Sequence, residues 1–265
     1  MSSTQPIGLL DSGCGGLAVL SAMREEVPNE DLIYAADCAC APWGDREESF
    51  ILERVNLIVN YLLERGIKAL VLACNTATAV AADSLRARLQ IPVIGIEPAV
   101  LPAARATFSK VIGVLATVKT IESERYQRLK TLVENPAVEI LDCPCPGLME
   151  CVEAGEFHTP NTRELIKKYI LPLISKGADQ LVLGCTHYPF LSDEISRIAG
   201  EHVMLVNPAP AVARHMRTVL TELNALTDNT TPGSAEYLVT GANAEREQIL
   251  QFLAGPQARL NNLVL

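Results

Sequence analysis

The sequence contains one phrase twice: L-V-L-A-C-N-T-A-T at residues 70–78 and L-V-L-G-C-T-H-Y-P at residues 181–189. In both copies an apolar run ends in a small residue and a cysteine, and a threonine follows within two positions. An apolar run of this length before polar residues is typical of the carboxyl end of a buried strand. The phrase therefore predicts two equivalent strands, each followed by a cysteine.

Two further pairs of segments recur in the same order and at nearly the same spacing. The two cysteines of the repeated phrase are offset by 111 residues. The other pairs are P-I-G-L-L-D-S (6–12) with V-I-G-V-L-A-T (111–117), offset by 105, and I-E-P-A (96–99) with V-N-P-A (206–209), offset by 110. One pair is weak evidence because buried strands resemble one another, but three pairs in register indicate an internal duplication.

Strand and helix patterns alternate along the chain, with strands that are apolar on both faces. Such alternation predicts an α/β fold: two pseudo-symmetric, duplicated α/β domains with mostly parallel sheets. The predicted strands are 6–11, 31–37, 69–73, 92–96, 111–117 and 236–240, and the predicted helices include 17–25, 48–65, 76–89 and 209–224.

The predicted first domain comprises residues 1–98 with 210–265, and the second comprises residues 99–209. The chain after residue 210 adds a strand that has no counterpart in the first repeat, so we expect it to return to the first domain. Paired α/β domains bind ligands at the carboxyl ends of their strands, and we expect the active site in the cleft between the two.

The composition is that of an ordinary globular protein. Of 265 residues, 49% are hydrophobic and 20% are charged, and the net charge is -9. We therefore expect neither nucleic acid nor an anionic membrane as the main partner. Because we see no signal peptide and no apolar run long enough to span a membrane, we expect a cytoplasmic protein.

The eight cysteines predict neither a disulfide framework nor a metal site. A chain of this length with no secretion signal has no need of disulfides. The pairs Cys38-x-Cys40 and Cys143-x-Cys145 lack the two-residue gap of zinc knuckles, and no histidine lies at a matching distance. Most of these thiols are expected to be small buried apolar side chains.

Cys74 and Cys185 are the candidate catalytic residues, because each follows a predicted strand where a helix is expected to begin. A helix N-terminus is expected to lower the pKa of a thiol from about 8.5 toward neutrality. Two opposed thiols suit inversion at a carbon acid, in which one thiolate removes the α-proton and the other thiol protonates the opposite face. The pair therefore favours a racemase over two structural cysteines.

The turn D-S-G-C-G-G (11–16) supplies Asp11, Ser12 and a run of backbone N–H groups at a helix start. These groups suit the ammonium and carboxylate of an amino acid. A dinucleotide site is the alternative, although it leaves the paired cysteines unexplained. The relaxed fingerprint for it is Gly13-x-Gly15-x-x-Ala18 with Asp31 or Asp37 as the acidic residue.

Three further positions could contribute to the same site. His187, two residues after Cys185, could polarise the substrate or tune the thiol. The turn-rich loop A-P-W-G-D (41–45) is placed to line the cleft, and Glu153 could supply a carboxylate, although a solvated surface acid is its alternative role.

Five motifs, in this order along the chain, resemble those of the glutamate racemases of the aspartate/glutamate racemase superfamily. They are D-S-G-x-G-G, A-P-W-G, A-C-N-T-A, G-I-E-P and G-C-T-H-Y-P. The resemblance covers about residues 5–215 closely. It implies cofactor-independent interconversion of L- and D-glutamate, which supplies D-glutamate for peptidoglycan and cell shape, in a homodimer.

The resemblance also implies the roles of individual residues. Cys74 and Cys185 would exchange protons with the substrate, assisted by Asp11, His187 and Glu153. The residues that would bind substrate are Asp11, Ser12, Trp43, Gly44, Asn75, Thr76, Thr186 and His187.

The chain departs from the family pattern at three places. Trp43 stands where tyrosine is usual, Asp45-Arg46 where a Gly-x-Lys arrangement is common, and Cys14 where an aliphatic residue is usual. The nearest alternative function is a racemase for aspartate or another amino acid. A thiol-based metal or redox protein is a different class, and a pyridoxal phosphate racemase is disfavoured because no lysine lies at a strand end beside a glycine-rich phosphate cup.

Overall fold

The computed structural model describes residues 3–265, and contacts within the chain divide it into two units. Unit 1 runs to Ile96 and resumes at Ala209, and unit 2 comprises Glu97–Pro208. The sequence-based boundaries at 98/99 and 209/210 remain a prediction about where independent domains begin and end.

Unit 1 is a parallel sheet with helices, and the strand order across the sheet is β10-β9-β2-β1-β3-β4. All elements are numbered in chain order. Its strands are β1 (Ile7–Asp11), β2 (Leu32–Ala36), β3 (Ala69–Leu72), β4 (Val93–Gly95), β9 (Ala235–Val239) and β10 (Leu260–Asn262). Its helices are α1 (Leu17–Glu26), α2 (Glu48–Glu64), α3 (Asn75–Arg88), α10 (Ala209–Glu222) and α11 (Ala244–Ala254).

Unit 2 is a smaller parallel sheet of strand order β6-β5-β7-β8. Its strands are β5 (Val111–Ala116), β6 (Glu139–Pro144), β7 (Gln180–Gly184) and β8 (Met204–Val206). Its helices are α4 (Val100–Ala106), α5 (Val118–Glu122), α6 (Glu124–Thr131), α7 (Leu148–Glu153), α8 (Pro160–Ser175) and α9 (Ser192–Ala199), with one 3-10 turn at Tyr188–Leu191.

The two sheets share one strand order. In unit 1 the first four strands lie in the order β2-β1-β3-β4, and in unit 2 the next four lie in the order β6-β5-β7-β8. Each repeat therefore places its third strand beside its first, and the repeated phrase falls on β3 and β7. The predicted α/β fold with two duplicated, parallel sheets is confirmed.

The C-terminal segment extends the first sheet. β9 pairs in parallel with β2, so that Tyr237 lies opposite Tyr34, and β10 pairs with β9. The short strand β10 was not predicted, because its sequence L-N-N has no apolar run. These two strands make the unit 1 sheet wider than that of unit 2.

The strands β1, β3 and β7 are buried along their whole length, as expected for parallel strands covered by helices on both faces. In unit 1, one apolar cluster joins these strands to α2 and α3 through Leu10, Ile58, Leu72 and Ala81. Gly66, at φ 73°, follows α2 in the left-handed conformation that favours glycine. No helix among residues 3–265 has the length and apolar character needed to cross a membrane.

A buried ion pair stabilises the amino ends of two strands of unit 1. Lys68 Nζ lies 2.6 Å from Glu30 Oε2, and their side chains are 0% and 3% exposed. The ammonium also donates to the Ala225 carbonyl at 2.8 Å, and Glu30 accepts from the Thr227 N–H at 2.8 Å. Each charge is therefore compensated only while the other is present.

We expect Glu30→Gln to lower the free energy of unfolding by about 3 kcal/mol, because it leaves the Lys68 ammonium buried beside a neutral amide. Urea unfolding of the single variant measures this loss. The double variant Glu30→Gln/Lys68→Met should lose less than the sum of the two single losses, since no unpaired charge remains. A single-variant loss below about 1 kcal/mol, as for exposed ion pairs, would contradict the prediction.

Candidate active site

Cys74 lies at the carboxyl edge of the unit 1 sheet, two residues after β3, and is the N-cap of the 14-residue helix α3. Its backbone is extended, with φ -100° and ψ 125°, and its sulfur accepts a hydrogen bond from the Ala77 N–H at 3.4 Å. The sulfur therefore caps the helix itself. The Ser12 hydroxyl lies 3.5 Å from the same sulfur. The thiol is 5% exposed, so bulk water has little access to it.

Asp11 is the last residue of β1 and organises the turn after it. Its Oδ2 accepts from the N–H groups of Gly13 at 3.2 Å and Gly16 at 2.9 Å. A side chain at Gly16 would place its Cβ 2.7 Å from that of Asp11, so this position requires glycine. The turn is held further by the Tyr34 hydroxyl, which donates to the Gly13 carbonyl at 2.5 Å. The fully buried carboxylate is thus fixed at the strand end.

Two buried polar side chains near Cys74 have no hydrogen-bond partner within residues 3–265. They are the amide of Asn75, at both its oxygen and its nitrogen, and the indole N–H of Trp43. Trp43 belongs to the same apolar cluster as Cys74. Buried polar groups are nearly always hydrogen-bonded, so these atoms indicate a polar ligand or water that completes them. Thr76 is also buried, and Gly44 is partly exposed.

In unit 2, Cys185 directly follows β7 and is 6% exposed. Its sulfur lies 3.6 Å from Nδ1 of His187, whose Nε2 lies 2.8 Å from Oε1 of Glu153 on α7. The imidazole is 2% exposed and the Glu153 side chain 19% exposed. The three side chains therefore form a continuous thiol–imidazole–carboxylate chain. Thr186, between Cys185 and His187, is buried.

The two cysteines differ in the backbone that comes after them, although a helix was expected after each. That prediction is correct for Cys74 and wrong for Cys185, where a 3-10 turn at Tyr188–Leu191 precedes α9. Pro189 within this turn has no N–H group to donate to a preceding carbonyl. Negative charge on the Cys74 sulfur is stabilised by a helix N-terminus, whereas Cys185 has an imidazole beside it.

The two acidic residues of the dinucleotide alternative, Asp31 and Asp37, are hydrogen-bonded within unit 1. Both carboxylate oxygens of Asp37 accept from Arg54, each at 2.8 Å, and Oδ1 also accepts from the Thr240 hydroxyl at 2.8 Å. Asp31 accepts from the Ser234 N–H and hydroxyl, and these bonds lower the pKa of its carboxyl group. Both carboxylates therefore already accept hydrogen bonds within unit 1.

Sequence reasoning missed the network that anchors the loop before Trp43. The Thr240 hydroxyl accepts from the Ala39 N–H at 3.0 Å, and the Arg246 guanidinium donates to the Cys38 carbonyl at 2.9 Å. Together with the Asp37–Arg54 pair, these bonds hold the chain between β2 and the A-P-W-G turn. Because Thr240 and Arg246 lie some 200 residues further along, no local sequence pattern signals this contact.

Comparison with known proteins agrees with this geometry. The model of the Asp/Glu/Hydantoin racemase family matches residues 44–216. A glutamate racemase of Ectopseudomonas mendocina (strain ymp) is 45% identical over 261 residues, which cover 98% of each chain.

Two solved structures have the same fold over nearly the full chain. Glutamate racemase isoform RacE1 of Bacillus anthracis has a TM-score of 0.89 at 33% identity, with 99% of this chain and 98% of that chain covered. Escherichia coli glutamate racemase, in complex with L-glutamate and the activator UDP-MurNAc-ala, has a TM-score of 0.85 at 32% identity, with 98% of each chain covered. The chain therefore belongs to the Asp/Glu/Hydantoin racemase family.

Proposed function

We propose that this protein interconverts L- and D-glutamate by two-thiol proton transfer, without a cofactor, and that Cys74 and Cys185 are the two acid–base groups. The observation that carries the proposal is the placement of one buried cysteine at the end of the third strand of each repeat. The full-length similarity to glutamate racemases supports glutamate as the substrate.

The reaction moves one proton off the α-carbon and one onto it. One thiolate takes the α-proton, and the bonding electrons remain on the substrate as a carbanion conjugated with the α-carboxylate. The other thiol then protonates the opposite face of the same carbon, which inverts the configuration. Each turnover leaves the two sulfurs with exchanged protonation states, so the enzyme uses the same two residues in both directions.

The residues of unit 1 support this chemistry at the Cys74 sulfur. The Ala77 N–H, at the start of α3, stabilises negative charge on the sulfur in the thiolate state. Asp11 fixes the turn in which Ser12 contacts that sulfur, and its carboxylate suits the substrate ammonium. The Asn75 amide and the Trp43 indole N–H offer hydrogen bonds to the substrate's carboxylates, with Gly44 and Thr76 beside them in sequence.

The residues of unit 2 support Cys185 by a different route. When Glu153 accepts from Nε2–H of His187, the Nδ1 atom faces the Cys185 sulfur as an acceptor for its proton. An imidazolium in the same position stabilises the thiolate. Glu153 thus positions the imidazole, and His187 exchanges a proton or a charge with Cys185. Thr186 contributes a buried hydroxyl for substrate binding.

Exchange of the α-proton tests the proposal directly. The protein is dialysed against a chelator and incubated without added cofactor in heavy water, separately with L- and D-glutamate and with L- and D-aspartate, while proton NMR follows the α-proton signal. We expect both glutamate enantiomers to exchange and aspartate to remain unchanged. Exchange of aspartate alone would mean that aspartate is the substrate and would leave the two-thiol mechanism unchanged. Folded protein with reduced thiols that exchanges none of the four would overturn the proposal.

The remaining parts of the proposal concern the cellular setting. The product D-glutamate would serve peptidoglycan synthesis, and we propose that the protein acts in the cytoplasm as a homodimer, as its family resemblance implies. Light scattering during size-exclusion chromatography tests the dimer: a mass near 28.6 kDa, that of a single chain, would contradict it.

A further inference from the structure

Cys143 and Cys145, here called the C-P-C pair, lie at the exposed edge of the unit 2 sheet. β6 is the edge strand and ends at Pro144, between the two cysteines. The Cys143 side chain is partly exposed, whereas Cys145 is 2% exposed. Their sulfurs are 3.9 Å apart, and the structure places no disulfide at any of the eight cysteines. The pair is thus a reduced dithiol that solvent reaches from one side.

The two thiols are chemically unequal. The Cys145 thiol points toward Cys143: it lies 3.9 Å from the Cys143 sulfur and 3.1 Å from the Cys143 carbonyl oxygen. The hydrogen bond that the Cys145 thiol donates to the Cys143 sulfur lowers the pKa of Cys143, and burial raises the pKa of Cys145 well above its usual value. Cys143 is therefore the thiol that reaches the thiolate state first, and it is also the more accessible of the two.

We infer that the C-P-C pair is an oxidative modification site, at which a peroxide converts Cys143 and Cys145 into a reversible disulfide. The Cys143 thiolate attacks one peroxide oxygen, the O–O bond breaks, and a sulfenic acid and hydroxide form. The Cys145 sulfur then attacks the Cys143 sulfur, the S–O bond breaks, and the hydroxyl leaves as water with the Cys145 proton. The hydroxide takes up the proton that Cys143 released on forming its thiolate, so in sum two thiols are oxidised to one disulfide and the peroxide is reduced to two molecules of water.

The geometry permits the bond after a small local movement. A disulfide has an S–S length of about 2.05 Å, so the sulfurs must approach each other by about 2 Å. The ring that closes contains a single intervening residue, Pro144, and a small ring of this kind is readily reduced again. A disulfide at this site should therefore form and break reversibly and should not act as a permanent crosslink.

The pair is coupled to the turn that holds Cys185. The Tyr188 hydroxyl, whose pKa burial raises well above its usual value, stays protonated and donates to the Cys145 carbonyl at 3.3 Å. The Tyr188 N–H in turn donates to the Cys185 carbonyl at 3.1 Å. Helix α7, which carries Glu153, begins three residues after Cys145. A shift of Cys145 would therefore displace both Tyr188 and the start of helix α7. These two elements hold the turn at Cys185 and the carboxylate that positions His187.

Closure of the disulfide should therefore reduce racemisation reversibly. A displacement near 1 Å in residues that position a reacting group can lower the rate about 100-fold, and we expect a loss of at least about tenfold. This consequence rests on the proposed function, whereas formation of the disulfide does not.

Peptide mass spectrometry and activity, measured on the same samples, test the inference. Cleavage after glutamate releases residues 140–150, which contain Cys143 and Cys145 but not Cys151. After limited hydrogen peroxide, we expect this peptide to lose two hydrogen atoms and to regain them with dithiothreitol. Activity should fall and recover in parallel. In Cys143→Ser, the part of the activity loss that dithiothreitol reverses should be absent, while any irreversible loss remains. Cys151→Ser, which alters another buried cysteine of unit 2, should behave like the unaltered protein.

The possible outcomes separate the two proposals. A peptide 140–150 that keeps both thiols, or that gains oxygen atoms without an S–S bond, would overturn the modification site. A disulfide that leaves the activity unchanged would overturn its coupling to the Cys185 turn. A disulfide that forms in a protein inactive on glutamate in both redox states would leave the site in place and remove the proposed function instead.

Discussion

Cys74→Ser and Cys185→Ser should each lower kcat/KM for racemisation by about 10³-fold, because each removes the proposed acid–base group for one face of the α-carbon. Serine keeps the size of the side chain but is too weak an acid to exchange protons near neutral pH. Since enantiomers have equal free energies, kcat/KM must fall by the same factor in both directions. Polarimetry, started from each enantiomer, measures the loss.

Proton exchange distinguishes the two variants from each other. The remaining thiol can still remove the α-proton of the enantiomer that it serves and return a solvent deuteron to the same face. We therefore expect each variant to exchange one enantiomer in heavy water with retention of configuration, and the two variants to select opposite enantiomers. Cys151→Ser, a buried cysteine away from both strand ends, is the matched control and should racemise normally.

Two results would contradict the two-thiol mechanism. One is racemisation by either cysteine variant within about tenfold of the unaltered protein, since loss of a general acid or base costs at least about 10²-fold. The other is exchange of the same enantiomer by both variants, which would assign both proton transfers to one face.

The repeated phrase made the fold predictable. Buried parallel strands have apolar runs that differ from their surroundings, so a duplicated run predicts a duplicated strand, and β3 and β7 occupy equivalent places in their sheets. The same argument placed Cys74 and Cys185 after those strands. No local pattern could show the return of β9 to pair with β2, since strand pairing at this separation depends on the whole sheet.

The candidate site was predictable at its strand ends and much less so elsewhere. Asp11 is the last residue of one apolar strand and Cys74 follows another, and that position alone marks them. The His187–Glu153 contact joins the turn after β7 to a short helix 34 residues earlier in the chain, and it was not predicted, although both residues were candidates for the site. No sequence pattern predicted the hydrogen bonds of Asp37 with Arg54 and Thr240, because these partners are far apart in the chain and meet only in the folded protein.

Glu153→Gln should lower kcat/KM for both enantiomers by about 10²-fold, because Glu153 positions the imidazole that lies beside the Cys185 sulfur. The carboxylate only accepts hydrogen bonds, so it fixes the His187 proton on Nε2 and leaves Nδ1 toward Cys185. A glutamine amide can donate to Nε2 instead, which places the proton on Nδ1 and blocks proton transfer from the thiol. Replacing the carboxylate that orients a catalytic histidine by an amide is costly for this reason.

The matched control for this variant is Glu150→Gln, an exposed glutamate one turn earlier on the same helix α7, which should leave the rate unchanged. A primary isotope effect then separates positioning from general damage. In Glu153→Gln, removal of the α-deuteron by Cys185 should become more rate-limiting, so the isotope effect should rise for one enantiomer only. The enantiomer should be the one that the Cys74→Ser variant still exchanges. An equal change for both enantiomers would mean that Glu153 stabilises the fold of unit 2 and does not act through Cys185.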